Sequence, residues 1–338
     1  MSTHNLTQVA FFESLKTAIP SYASIVDVVS ETLDISIDSA YRRIRGQKLL
    51  DFSELVLLSN KFNISLDQVF GNQSDTVLFH ANQNDFNDQG NFKSWMEDVL
   101  AQLEMVSSFN EKHIYFLLKD MPPWYHYYYP ELAAFKFFFW QKSILFNDNL
   151  KDKRFSVSNQ DYAHLEQVKQ KILRTSTKIP TTEIWNLEGM NTTLRQIDLY
   201  HEMGIMSSSK DTAKLYECVI QVVDHLEKMA EYGKKFMPGT LPDSDSADYN
   251  FYVNDFVLGD NTFFVQLNDT KVTYLNYSVI YFMGTSDPSF NEGMFRNLEN
   301  LIKKSTLISK TGEKDRRQFF NKLRRKTQTR LDSLYEAI

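Results

Sequence analysis

Eleven residues, SIDSAYRRIRG at positions 36–46, constrain this chain more than any other stretch. Ser36 is placed to cap a short helix, Asp38 lies in its first turn where a carboxylate suits the helix dipole, and Gly46 ends it. Ile37, Ala40 and Ile44 fall at i, i+3 and i+7 and form one apolar face. Asp38, Ser39, Tyr41, Arg42 and Arg45 spread over the remaining surface. A second amphipathic segment, residues 22–33, is separated from the first by Asp34 and Ile35 and carries Ile25, Val28, Val29 and Leu33 at helical spacing. The small side chain of Ala40 allows the two helices to pack closely.

Two short helices across a tight turn, the second loaded with hydrogen-bonding side chains, are the layout of a helix-turn-helix that sets its second helix in the DNA major groove. The expected partner is double-stranded DNA, with Ser36, Asp38, Ser39, Tyr41, Arg42, Arg43, Arg45 and Lys48 as the contacting residues. Arg42 and Arg45 suit guanine edges, and Arg43 and Lys48 suit phosphate. Asp38 either caps the helix or accepts from cytosine amino groups; Tyr41 either packs or meets phosphate and base edges. An arginine-rich face also occurs on plain solvated helices, so its neighbours matter. Asp51 and Glu54 form a capping box ahead of Leu55, Val56, Leu58 and Phe62, and Ser65 and Gln68 form another ahead of Leu66, Val69 and Phe70. With Phe11, Phe12 and Leu15 on a helix in front, five short helices are expected before Gly71.

That order and spacing resemble the DNA-binding domain of the lambda-repressor/Cro (XRE-type) transcriptional regulators, of the BetR-like branch in particular. The resemblance covers residues 6–71 and is carried by VSETLDIS at 29–36, SAYRRIRG at 39–46 and NISLDQVFG at 63–71. Ser30 stands where the family usually has alanine, Asp34 where its turn usually has glycine, and Arg43 where an apolar residue is common. Asp tolerates a left-handed turn better than most residues, and Ile44 is expected to supply the packing that Arg43 does not. The resemblance implies a bacterial DNA-binding regulator that reads the major groove as a homodimer.

Composition sets the remaining bounds. The 338 residues have room for two or three domains, and 42% hydrophobic with 24% charged residues suits a folded chain. The single Cys218 excludes an intramolecular disulfide and suits a reducing compartment. The first residues lack the pattern of a signal peptide. The most apolar run, residues 132–146, includes Lys136 and Lys142 and falls short of the about 20 residues a membrane span needs. A cytoplasmic protein without membrane contact is expected. The net charge of −6 is unevenly spread: residues 301–338 hold eleven Lys or Arg against four Asp or Glu, whereas residues 1–72 hold six against eight.

A polar linker is expected at 73–92. Its segment NQNDFNDQGN places Asp85, Asn87, Gln89 and Gly90 at calcium-loop spacing but has Met96 where the bidentate Glu belongs. Beyond it, helices are expected around Trp95–Val106, from Pro130 to about Phe146, and over 161–173, 190–204, 211–232 and 287–305. His113 to Leu118 suits a buried strand. Residues 249–258, 262–267 and 271–282 read as three strands of an antiparallel meander. Residues 124–140 hold ten aromatics in seventeen positions, which suits a central core helix with its preceding loop, a ligand pocket or a self-association surface. Residues 313–337 form a basic amphipathic helix with Phe319, Phe320, Leu323, Leu331 and Leu334 on one side.

The expected fold is therefore mainly α: a five-helix lambda-repressor-like domain at 1–72, a linker at 73–92, a larger α+β regulatory and dimerisation domain with a small antiparallel sheet at 93–308, and a basic C-terminal helix at 309–338. Catalytic chemistry leaves no mark. Gly233-Lys234-Lys235 lacks the rest of a phosphate loop, no G-x-S-x-G occurs, and His201-Glu202 has no second His at metalloprotease spacing. No catalytic residue, metal or cofactor is expected, and an effector or protein partner of the second domain stays open. The competing readings are an interaction adaptor with a degenerate helix-turn-helix and an enzyme carried by residues 93–308.

Overall fold

The computed structural model describes residues 3–66, 69, 77–81, 89–158, 162–254, 259 and 261–336. Among the described residues four helices come first: α1 (Thr3–Ala18), α2 (Ile25–Leu33), α3 (Ile37–Ile44) and α4 (Phe52–Phe62). Phe11, Phe12, Leu15 and Ile19 from the first meet Val29, Ala40 and Leu58 from the other three in one small core. Local chemistry sets the helix ends. Ser24 caps α2 by accepting from the Asp27 N–H at 3.4 Å, and Asp34 closes it in the left-handed region at φ 52°. Asp51 and Glu54 form the expected reciprocal box at the start of α4. The fifth helix expected before Gly71 falls largely outside the described residues, as do Asp85 and Asn87 of the calcium-like loop.

The rest of the chain runs β1 (His80–Ala81), α5 (Gln89–Ser108), β2 (Lys112–Leu118), a 3-10 turn (Pro123–Tyr128), α6 (Pro130–Phe139), α7 (Glu166–Ser176), β3 (Thr181–Trp185), α8 (Asn191–Glu202) and α9 (Ser209–Tyr232). Strands β4 (Tyr249–Val253), β5 (Thr262–Leu267), β6 (Thr270–Ser278) and β7 (Tyr281–Thr285) follow, then α10 (Pro288–Lys303), β8 (Thr306–Leu307) and α11 (Glu313–Glu336). All eight strands form one sheet in the order β1-β7-β6-β5-β2-β3-β4-β8.

This sheet corrects the expected fold class. The architecture is α+β around one large mixed sheet, not mainly α with a small antiparallel one. β2, β3 and β4 are parallel, with Ile114 opposite Thr181 and Thr181 opposite Tyr249; the other pairings are antiparallel. The meander is β5-β6-β7, and β4 is not part of it. It lies beyond β2 and β3, because parallel neighbours need long crossovers and the helices between β2, β3 and β4 supply them. Every residue of β3 is buried, the mark of a central parallel strand covered on both faces.

One face of the sheet carries Phe116, Glu183, Phe251 and Phe263 and packs on the aromatic segment, α9 and α11. The other carries Tyr115 and Phe264 against Phe295 of α10. Trp124, Tyr125, Tyr127, Phe135, Phe137 and Trp140 are all buried here, so of the readings its composition allows the aromatic segment is the core helix with its preceding loop, and it cannot serve as the dimer surface. Its helix is also shorter than expected: α6 ends at Phe139 and closes in a π-helical turn, Trp140–Ile144. Glu183 is wholly buried and accepts from the hydroxyl of Tyr125, from Trp185 Nε1 at 2.8 Å and from the Tyr249 hydroxyl at 3.1 Å.

The basic tail belongs to this same core. Phe319 and Phe320 of α11 pack on Phe251 with ring centroids 5.7 and 5.3 Å away. Arg324 bridges Asp224 and Glu227 of α9, and Arg330 meets Asp198 of α8 at 3.0 Å. Gly233, at the end of α9 with φ 60°, has no room for a Cβ because the Lys310 side chain lies across it.

Candidate nucleic-acid interface

α2, the turn at Asp34 and α3 form a compact helix-turn-helix. The turn is held by its own hydrogen bonds: the Ile35 N–H reaches the Ser30 carbonyl at 3.0 Å, and the Ser30 hydroxyl donates to the Ile35 carbonyl at 2.6 Å. Ser30 thus ties the turn together. Ser36 caps α3 by accepting from the Ser39 N–H at 3.3 Å, which leaves Asp38 exposed in the first turn.

Of the eight residues expected to contact DNA, Ser36, Asp38, Tyr41, Arg42, Arg45 and Lys48 are exposed and Ser39 is half-buried. The Arg45 guanidinium lies 4.3 Å from the centre of the Tyr41 ring, a cation–π contact that orders both side chains. Arg43 departs from the expectation. It is 4% exposed and turned inward, with Nε donating to Glu54 Oε2 at 2.9 Å, a second bond to Glu54 Oε1 and Nη1 donating to the Ser39 carbonyl at 3.2 Å. A guanidinium so committed is not a phosphate ligand. Hydrogen bonding from Arg43 holds the Glu54 carboxyl below its usual range, and the Arg43 pKa is raised in turn.

Ile37 departs in the opposite sense. Expected on the buried face, it is 62% exposed, while Ala40 is fully buried and Ile44 partly so. The buried face of α3 is centred on Ala40 and turned toward Arg43, about a sixth of a turn away from Ile37 at about 100° per residue. Ile37 therefore joins Asp38, Tyr41, Arg42 and Arg45 on the open side.

Gln8 is a positioning residue that the sequence reading missed. Its amide donates to the carbonyls of Arg43 at 2.6 Å and Lys48 at 2.9 Å and accepts from the Leu50 N–H at 2.8 Å. It thereby fastens the segment after α3, including the left-handed Gly46 and the exposed Lys48, to α1. A signal was present: Gln8, Phe11, Phe12 and Leu15 share one helical stripe, and a polar residue inside an apolar stripe must find buried partners.

No family model, no curated protein and no solved structure matches the chain. Among the described residues, no helix is long and apolar enough to cross a membrane.

Proposed function

We propose that the chain is a sequence-specific DNA-binding transcriptional regulator whose α3 reads base edges in the major groove. One observation carries this reading: Tyr41, Arg42 and Arg45 stand exposed on a helix whose underside is fixed by the Arg43–Glu54 pair and by Gln8. Arg42 and Arg45 are the guanine readers, Asp38 accepts from a cytosine amino group, and Ile37 contacts a thymine methyl. Ser36, Ser39 and Lys48 position the helix on phosphates. The resemblance to the lambda-repressor/Cro regulators supports the same assignment, with a cytoplasmic homodimer on two half-sites as its working form. Selection of bound duplexes from random DNA by the full chain tests it. A recovered palindrome is expected, and replacing Arg42 and Arg45 together with Ala should abolish the preference, at about 1–3 kcal/mol for each bidentate contact. Unselective binding by the wild type, or an unchanged double variant, would refute it.

A protein-docking adaptor is the second reading, favoured by Leu49 and Phe52, which are 56% and 79% exposed beside α3. It requires that substituting Leu49 and Phe52, and not Arg42 and Arg45, removes the partner.

A further inference from the structure

The reading unit is short of positive charge. Residues 1–72 hold six Lys or Arg against eight Asp or Glu, and Arg43 is consumed by Glu54. Part of the basic tail is committed within the chain, since Arg324 and Arg330 face Asp224, Glu227 and Asp198 and Lys326 donates to the Leu187 carbonyl at 2.7 Å, while Lys314, Lys322 and Arg325 are exposed.

Another group of cations lies beside the reading unit. An open groove of about 320 Å³ runs between the end of α5 and α7, with Lys171, Arg174 and Lys178 on one wall and Glu104, Ser107 and Ser108 on the other. Lys171 and Arg174 are exposed and make no ion pair among the described residues, and Lys178 has only the exposed Asp245 at 3.6 Å. Ser108 is also where the N-terminal helices touch the larger core. The Ser21 N–H donates to its Oγ at 3.3 Å, and the Ser21 hydroxyl donates to its carbonyl. Ser21 lies in the turn just before Ser24 caps α2. In helix-turn-helix docking this first helix crosses the phosphate backbone, and its N-terminus favours anions. The groove thus begins where the backbone would leave the reading unit.

We infer that the groove between α5 and α7 receives the phosphate backbone of DNA flanking the half-site, with Lys171, Arg174 and Lys178 as its phosphate ligands. The inference rests on α3 reading duplex DNA. Charge complementarity selects the occupant, since the unpaired Lys171 and Arg174 and the weakly paired Lys178, in an open trough with Ser107, Ser108 and Thr175, match a phosphate chain. Glu104 is the one opposing charge in the trough and limits the affinity.

The test uses the full chain and two duplexes, one spanning only the selected site and one extended by about ten base pairs, one helical turn, on each side. On the long duplex, replacing Lys171, Arg174 and Lys178 together with Ala should make the salt dependence shallower by about 2–3 units and weaken binding by about tenfold or more near 0.15 M salt, since each phosphate contact contributes about 0.9 to the slope. The short duplex should bind variant and wild type alike, and Glu104→Gln should tighten the long duplex only. Equal binding of triple variant and wild type to the long duplex overturns the inference, as does an equal loss on both duplexes. If the wild type selects no duplex, or if Arg42→Ala with Arg45→Ala binds as the wild type does, it is the reading by α3 that has failed.

Discussion

Arg43 and Glu54 join α3 to α4 through one carboxylate that serves two helices. Glu54 Oε2 accepts from Arg43 Nε at 2.9 Å and from the Asp51 N–H at 3.2 Å, so the group that closes the capping box of α4 also anchors the underside of α3. The guanidinium is nearly sealed from solvent, with side-chain exposures of 5% for Arg43 and 16% for Glu54.

Removing one partner of such a pair strands the other. Arg43→Ala should destabilise the N-terminal unit by about 3 kcal/mol or more, whereas Arg43→Met, which fills the space without charge, should cost distinctly less when paired with Glu54→Gln. Denaturant unfolding followed through the N-terminal helices checks this. Equal stability of Arg43→Ala and wild type would show the pair to be a solvated contact.

Gln8→Ala should release the segment after α3. Three hydrogen bonds to buried or half-buried backbone are lost together, at a cost of about 1–3 kcal/mol. Amide exchange at Leu50 should accelerate more than exchange within α2, and a uniform change across all four helices would argue against a local clamp.

The tail should depend on its aromatic contacts more than on its charges. Phe320 is fully buried against Phe251, so Phe320→Ala should cost about 3–5 kcal/mol. Arg324→Ala, at a site 27% exposed, should cost about 1 kcal/mol and less in high salt. Thermal melts of the two variants in low and high salt give the comparison; a larger loss for Arg324→Ala would reverse the assignment.

Acid should weaken the larger core through its histidines. His225 donates from Nε2 to the Phe236 carbonyl at 2.8 Å, and burial lowers its pKa to about 4, as it does for His113 beside Thr182. Unfolding restores the usual value of 6.5, so the unfolded chain binds more protons between pH 4 and 6.5. Their contribution is full above pH 6.5 and is lost progressively toward pH 4. Asp120, raised to about 6 by burial, opposes this, since the folded chain keeps its proton between 3.8 and 6. A falling melting temperature from pH 7 to 4.5 is expected, and His225→Gln should flatten it. Parallel curves for the two proteins would exclude His225 as the proton acceptor.

Much of the N-terminal unit was legible because its determinants are local. Asp34, Ser36 and the Asp51–Glu54 box each act within a few residues, and Phe11, Phe12, Leu15, Val29, Ala40 and Leu58 follow helical periodicity. Arg43 was misplaced for the converse reason. Its inward turn depends on Glu54, eleven residues away on another helix, and exposed arginines look the same in a string of letters. Ile37 went wrong with it, since an apolar face defined by three residues can rotate once an arginine acquires a buried partner.

The sequence by itself determined where most of the helices lie, and the positions of β2 and β5, because caps, prolines and periodicity are properties of neighbouring residues. Only the tertiary structure decided that β2, β3 and β4 run parallel through the middle of one eight-stranded sheet, that the aromatic segment is its core, and that the basic tail packs against α9. Strand order depends on which distant surfaces bury one another. Thr181 meets Ile114 and Tyr249 across gaps of more than sixty residues, and no local pattern encodes that choice.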